Sequence, residues 1–125
     1  MDEAERMRLV VTYMAYCQAT NDSPGQKTHF WAMDAFYQIA HDSPLLCLQL
    51  CEDMLSCDID DGTRAVLAAG PLEDALAEHG PSIIDDVERR AACNPKFRHL
   101  LGGVWECGMP DAIWERFCKV RGAAW

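Results

Sequence analysis

The chain has 125 residues, half of them hydrophobic, with 20 Asp and Glu against 11 Lys and Arg and a formal net charge of −9. At this length a single helical domain over residues 1–125 is expected, one able to bury roughly two thirds of its unfolded surface. The composition rules against a disordered chain. The charge rules against a nucleic-acid partner, and no apolar run reaches the ~18 residues of a membrane span.

The seven cysteines (Cys17, Cys47, Cys51, Cys57, Cys93, Cys107 and Cys118) are odd in number and irregularly spaced. The start, MDEAERMRLV, is acidic where a secretory signal needs a basic region. Free thiols in the reducing cytoplasm are therefore expected, most of them used as small hydrophobes on helices.

Read in chain order, the pattern is helical almost throughout. Residues 3–19 place Met7, Val10, Val11, Met14 and Cys17 at helical spacing, widened by Tyr13 and Tyr16. The breaker cluster Asn21–Gly25 marks a turn, and a second helix over 28–41 presents Trp31, Ala35, Phe36 and Ile39. Ser43 and Pro44 read as an N-cap and first-turn proline for a helix over 44–57. That helix is apolar nearly all round, which predicts a central position.

In the second half, Asp60 or Asp61 is expected to cap a short helix that Gly70 ends. Pro71 is expected to begin the next helix, which Gly80 stops, and Ser82 to cap another with Ile83, Ile84, Val87 and Ala91 inward. Asn94 and Pro95 start a helix striped by Phe97, Leu100, Leu101, Val104 and Trp105, and Ile113, Trp114, Phe117 and Cys118 define the last. The fold class is all-α, with seven or eight short helices in an irregular bundle or a HEAT- or armadillo-like stack. The stack follows from a weak likeness between residues 45–79 and 83–122, offset by about 38 residues, within the range of helical repeat units. Leu48, Leu76, Ile84, Phe97 and Trp105 are the expected core.

Charge is distributed unevenly. Residues 34–88 hold 13 acids against the single base Arg64, a net of −12, whereas residues 89–125 hold 7 bases against 3 acids, a net of +4. If the helices stack in order, Asp53, Asp58, Asp60, Asp61, Glu73, Asp74, Glu78, Asp85, Asp86 and Glu88 form one negative ridge, with the basic third facing elsewhere. Such a surface steers a basic protein partner, and it also keeps a protein soluble.

Motifs for chemistry are sparse. His41-Asp42 is similar to the dipeptide of the metal-binding HD phosphohydrolases, but it falls in a helix-ending turn where Asp42 suits a cap before Pro44. Cys47 and Cys51 stand one turn apart, yet structural zinc sites favour CxxC pairs on turns and none occurs here. No metal, cofactor or catalytic residue is assigned, and adjacent carboxylates such as Asp85-Asp86 point about 100° apart on a helix.

The stretch from Leu67 contains Gly70-Pro71-Leu72-Glu73-Asp74, His79-Gly80, Ile84-Asp85 with Glu88, and Phe97-Arg98 with Leu101 and Val104-Trp105. Over residues 67–121 it resembles a bacterial family of small proteins catalogued only as a domain of unknown function. The resemblance implies a small, mostly helical bacterial protein and brings no activity with it. Size, acidity and the missing motifs fit an immunity or inhibitor protein that neutralises a basic partner such as a co-produced toxin. A helical-repeat adaptor or scaffold, and a small HD-type hydrolase, are the alternatives.

Overall fold

Asp2 accepts a hydrogen bond from the Glu5 amide at 2.8 Å and so caps α1 (Glu3–Gln18), the first element of this computed structural model. The structure describes residues 1–106 and 108–125; Cys107 lies outside them. Helix α1 buries Leu9, Val10 and Tyr13 and packs chiefly on α2 (Pro24–Asp42), which Ser23 caps through the Gln26 amide. Helix α3 (Pro44–Leu55) has six buried residues and touches α1, α2, α5 and α6, the central position its all-round apolarity predicts. Asp60 caps α4 (Asp61–Leu67), and Asn94, between α5 (Glu73–Cys93) and α6 (Pro95–Leu101), caps α6. Helix α7 (Asp111–Val120) lies against α5 through Phe117 and closes a fold without strands among the described residues.

Sequence and structure part at the glycines and prolines. Gly70, Pro71, Gly80 and Ser82 do not separate helices: α4, a π turn (Ala68–Leu72) and α5 run on without a break. Pro71 has no N–H to donate, and the wider π turn carries the helix past it. Pro81 sits inside α5, where an interior proline costs ~3 kcal/mol; burial of Leu76, Ile83 and Ile84 on either side offsets that cost. Ser82 is no cap, since its hydroxyl donates to the His79 carbonyl at 2.9 Å. A Cβ on Gly80 would stand 3.2 Å from Met109 Cγ, so this glycine serves close packing rather than termination. The expected break between residues 79 and 83 therefore falls inside one helix.

Three further expectations are corrected. Trp31 is exposed, with the Arg8 guanidinium 4.9 Å over its ring; Phe36 faces inward as expected, joined by Ala32 and Ala40 rather than Trp31. Ser43 occupies the cap position of α3 without a side-chain capping bond. Trp105 is 73% exposed. Helix α6 ends at Leu101, and the Gly102, Gly103 and Val104 amides close it with bonds to His99, Leu100 and Leu101. Beyond it Val104 turns in and Trp105 turns out. Leu48, Leu76, Ile84 and Phe97 are buried as expected.

Residues 122–125 lie across the end of α6. Gly122 N donates to the Arg98 carbonyl at 3.1 Å, Trp125 N to Gly102 at 2.9 Å, and the Trp125 indole to His99 at 2.7 Å. The indole sits so close that a Cβ on Gly103 would come within 2.6 Å of it.

Candidate functional site

Tyr37 and His41 stand one turn apart near the end of α2, and Asp74 and Glu78 one turn apart on α5. With Ala77 they line an open cleft of about 300 Å³ between the two helices. His41 Nδ1 lies 2.5 Å from Glu78 Oε2. His79 Nε2 donates to the His41 backbone carbonyl, also at 2.5 Å, so neighbouring residues of α5 hold one residue of α2 by side chain and by backbone. Asp42 Oδ1 is 3.9 Å from the His41 ring.

The bond and charge of Glu78 raise the His41 pKa above its ordinary value, with Asp42 adding to the shift. Asp74 is also raised, first by partial burial and then by the like charges of Glu73 and Glu78. Glu73 accepts from the Trp105 amide at 3.2 Å. Chemically, the cleft presents two carboxylates beside an imidazole, and no group of three or more His, Cys, Asp or Glu among the described residues is arranged around a metal.

The remaining acids of the expected ridge are mostly engaged by the chain's own bases. Asp53 pairs with Arg6 at 2.8 Å and accepts from Gln49 at 3.1 Å. Asp61 pairs with Arg64 at 2.6 Å. Asp60 caps α4 through the Thr63 amide at 2.7 Å, and that backbone bond lowers its pKa. Asp58 lines a separate cleft of about 390 Å³ with Arg64, Lys96 and His99. Arg116 reaches from α7 to Asp85 at 2.6 Å and Glu88 at 2.5 Å, and Arg89 pairs with Asp86.

The basic third of the chain thus does not face elsewhere. Helix α7 packs on α5 and lays Arg116 over its acids, because opposite charges brought together by apolar packing satisfy each other. Of the ten acids, Asp74 and Glu78 are drawn into the cleft with Tyr37 and His41, and the others are distributed around it or away from it.

Cys47 and Cys51 are buried on α3, and the Cys47 thiol donates to the Pro71 carbonyl at 3.6 Å. The neighbouring Cys47 thiol and burial push Cys51 up, and burial does the same for Cys17, which keeps both as thiols. Cys93 is exposed, Cys17, Cys57 and Cys118 are half-buried, and all six described cysteines are free.

The sequence singles out His41, Asp42, Asp74 and His79 for other reasons and misses that they converge. The readable signal is the pair of i, i+4 spacings, 37/41 and 74/78. Tyr37 carries no signal of its own.

Fold and cleft define a small, acidic, all-α protein with an interhelical acid–imidazole face. Residues 19–124 match the family of unknown function DUF6869, and the chain belongs to that family. The match extends the resemblance over 67–121 to cover α2 and α3, and α1 lies outside it. Neither a curated protein nor a solved structure matches the chain. No helix among the described residues is long and apolar enough to cross a membrane.

Proposed function

We propose that the protein binds rather than catalyses, and that it holds a basic protein partner at the α2–α5 cleft. The fitting role is that of a cytoplasmic immunity or inhibitor protein that neutralises a partner such as a co-produced toxin. The observation that carries this reading is the cleft that sets the Asp74 and Glu78 carboxylates side by side, where partial burial, then the like charges of Glu73 and Glu78, disfavour the charged form of Asp74. A lysine or arginine entering the cleft relieves that repulsion and gains charge-assisted hydrogen bonds. Tyr37 adds an exposed aromatic ring beside the acids, a residue type enriched in protein interfaces. The His41 side chain is 57% exposed, so the cleft lacks the water exclusion that strengthens catalytic electrostatics.

The second reading is an adaptor or scaffold module with its helices stacked in the HEAT or armadillo manner, binding through apolar grooves. The exposure of Trp105 favours it. Titration with a lysine-rich peptide, followed by amide chemical shifts, tests the first reading against the second. Shifts centred on Tyr37, His41, Asp74, Ala77 and Glu78 that fade as salt is raised are expected. Shifts centred on Trp105 and indifferent to salt would replace the first reading with the second.

A further inference from the structure

Beyond that reading, we propose that the protein forms a twofold homodimer through the face around Trp105. Trp105 projects from an anchored backbone, since its amide donates to Glu73. Trp105 itself lines an open apolar recess of about 290 Å³ whose other aromatic walls are Trp114 and Trp125, with Val104 and Gly102 also lining it. Both walls are fixed. Trp125 stacks on His99, with ring centroids 5.5 Å apart, and donates to the His99 carbonyl. Trp114 stacks on Phe117 at 5.3 Å and carries the Arg121 guanidinium 5.4 Å from its ring.

An exposed indole at the edge of an aromatic recess that it shares with two fixed indoles suits a twofold pairing, because the same patch must offer both knob and hole. The charges agree with that occupant. Glu106 and Arg121 both line the recess, so a twofold axis can set each against its opposite in the second copy. One acid and one base also leave the patch neutral, without the repulsion that the −12 segment imposes on two copies. The recess shares no lining residue with the α2–α5 cleft.

Analytical ultracentrifugation of the full chain over a wide concentration range tests the proposal. Twice the chain mass is expected at the upper end. Trp105→Ala is expected to weaken dimerisation about thirtyfold, the scale of an interface tryptophan hot spot, and to leave the melting temperature unchanged only at concentrations where the wild type is monomeric. Glu106→Arg and Arg121→Glu are each expected to weaken the dimer, and the double variant to restore it. A wild-type monomer at every concentration, or a dimer indifferent to Trp105→Ala, would overturn the proposal. So would a monomer that binds anionic phospholipid vesicles through Trp105, which would give the face to a membrane.

Discussion

Glu78 holds the imidazole of His41 at 2.5 Å, joining the end of α2 to α5. The pair makes the cleft pH-dependent. The folded His41 pKa stands above its ordinary 6.5, so the stabilisation is fully present below that value while Glu78 is ionised, and is lost as pH rises through the folded pKa. In Glu78→Gln the His41 resonances are expected to titrate closer to 6.5 than in the wild type. The melting-temperature gap between the two proteins should be wider near neutrality than in alkaline buffer. A gap that widens with alkalinity would contradict the pairing.

The two aromatic residues expected to be core separate cleanly. Phe97 is fully buried, and Phe97→Ala should cost about 3–5 kcal/mol in chemical denaturation. Trp105→Ala, at a 73% exposed position, should stay within about 0.5 kcal/mol of wild type when both are measured at concentrations where the chain is monomeric. Comparable losses for both would place the Trp105 ring in the core.

Gly102 and Gly103 form the seat of Trp125. A Cβ on Gly102 would lie 2.2 Å from the Ala123 carbonyl, a backbone atom with little room to yield. Gly102→Ala should therefore lift residues 122–125 and cost about 1–3 kcal/mol. Tryptophan fluorescence should shift to the red as the indole leaves His99. Unchanged emission and stability would mean that the seat yields without displacing the indole.

Much of the fold is legible in the sequence because caps and apolar stripes are local signals. Asp60 and Asn94 cap where their residue types imply, and α3 is central because it is apolar nearly all round. Pro71 and Pro81 mislead for a tertiary reason: packing on both sides holds a helix through positions that local chemistry would break. Trp105 misleads because its stripe continues past a helix that Gly102 has already ended. The charge asymmetry is legible as composition and not as a surface. Whether Arg116 meets Asp85 and Glu88 depends on how α7 lies on α5, which no local pattern states. The cleft itself joins residues 37 and 41 to residues 74 and 78, a pairing that only the α2–α5 contact reveals.

Partial burial, and then the like charges of Glu73 and Glu78, disfavour the charged form of Asp74 in the fold. A folded carboxyl pKa above its ordinary value means that the ionised form is disfavoured, so Asp74→Asn should leave stability at neutral pH unchanged or raised. Thermal denaturation at pH 7 checks this, and a clear drop in melting temperature would show that the carboxylate supports the fold.

The central claim, that the α2–α5 cleft takes a basic partner, is tested most directly by calorimetric titration of one lysine-rich peptide into wild type, Asp74→Asn and Asp86→Asn. Asp86 is the control, because Arg89 already engages it. Loss of one charged hydrogen bond should weaken binding to Asp74→Asn about tenfold at low salt. Asp86→Asn should bind as the wild type does, and added salt should shrink the difference. Equal affinities for all three proteins, or equal losses in both variants, would contradict the account and leave the acidity a matter of solubility alone.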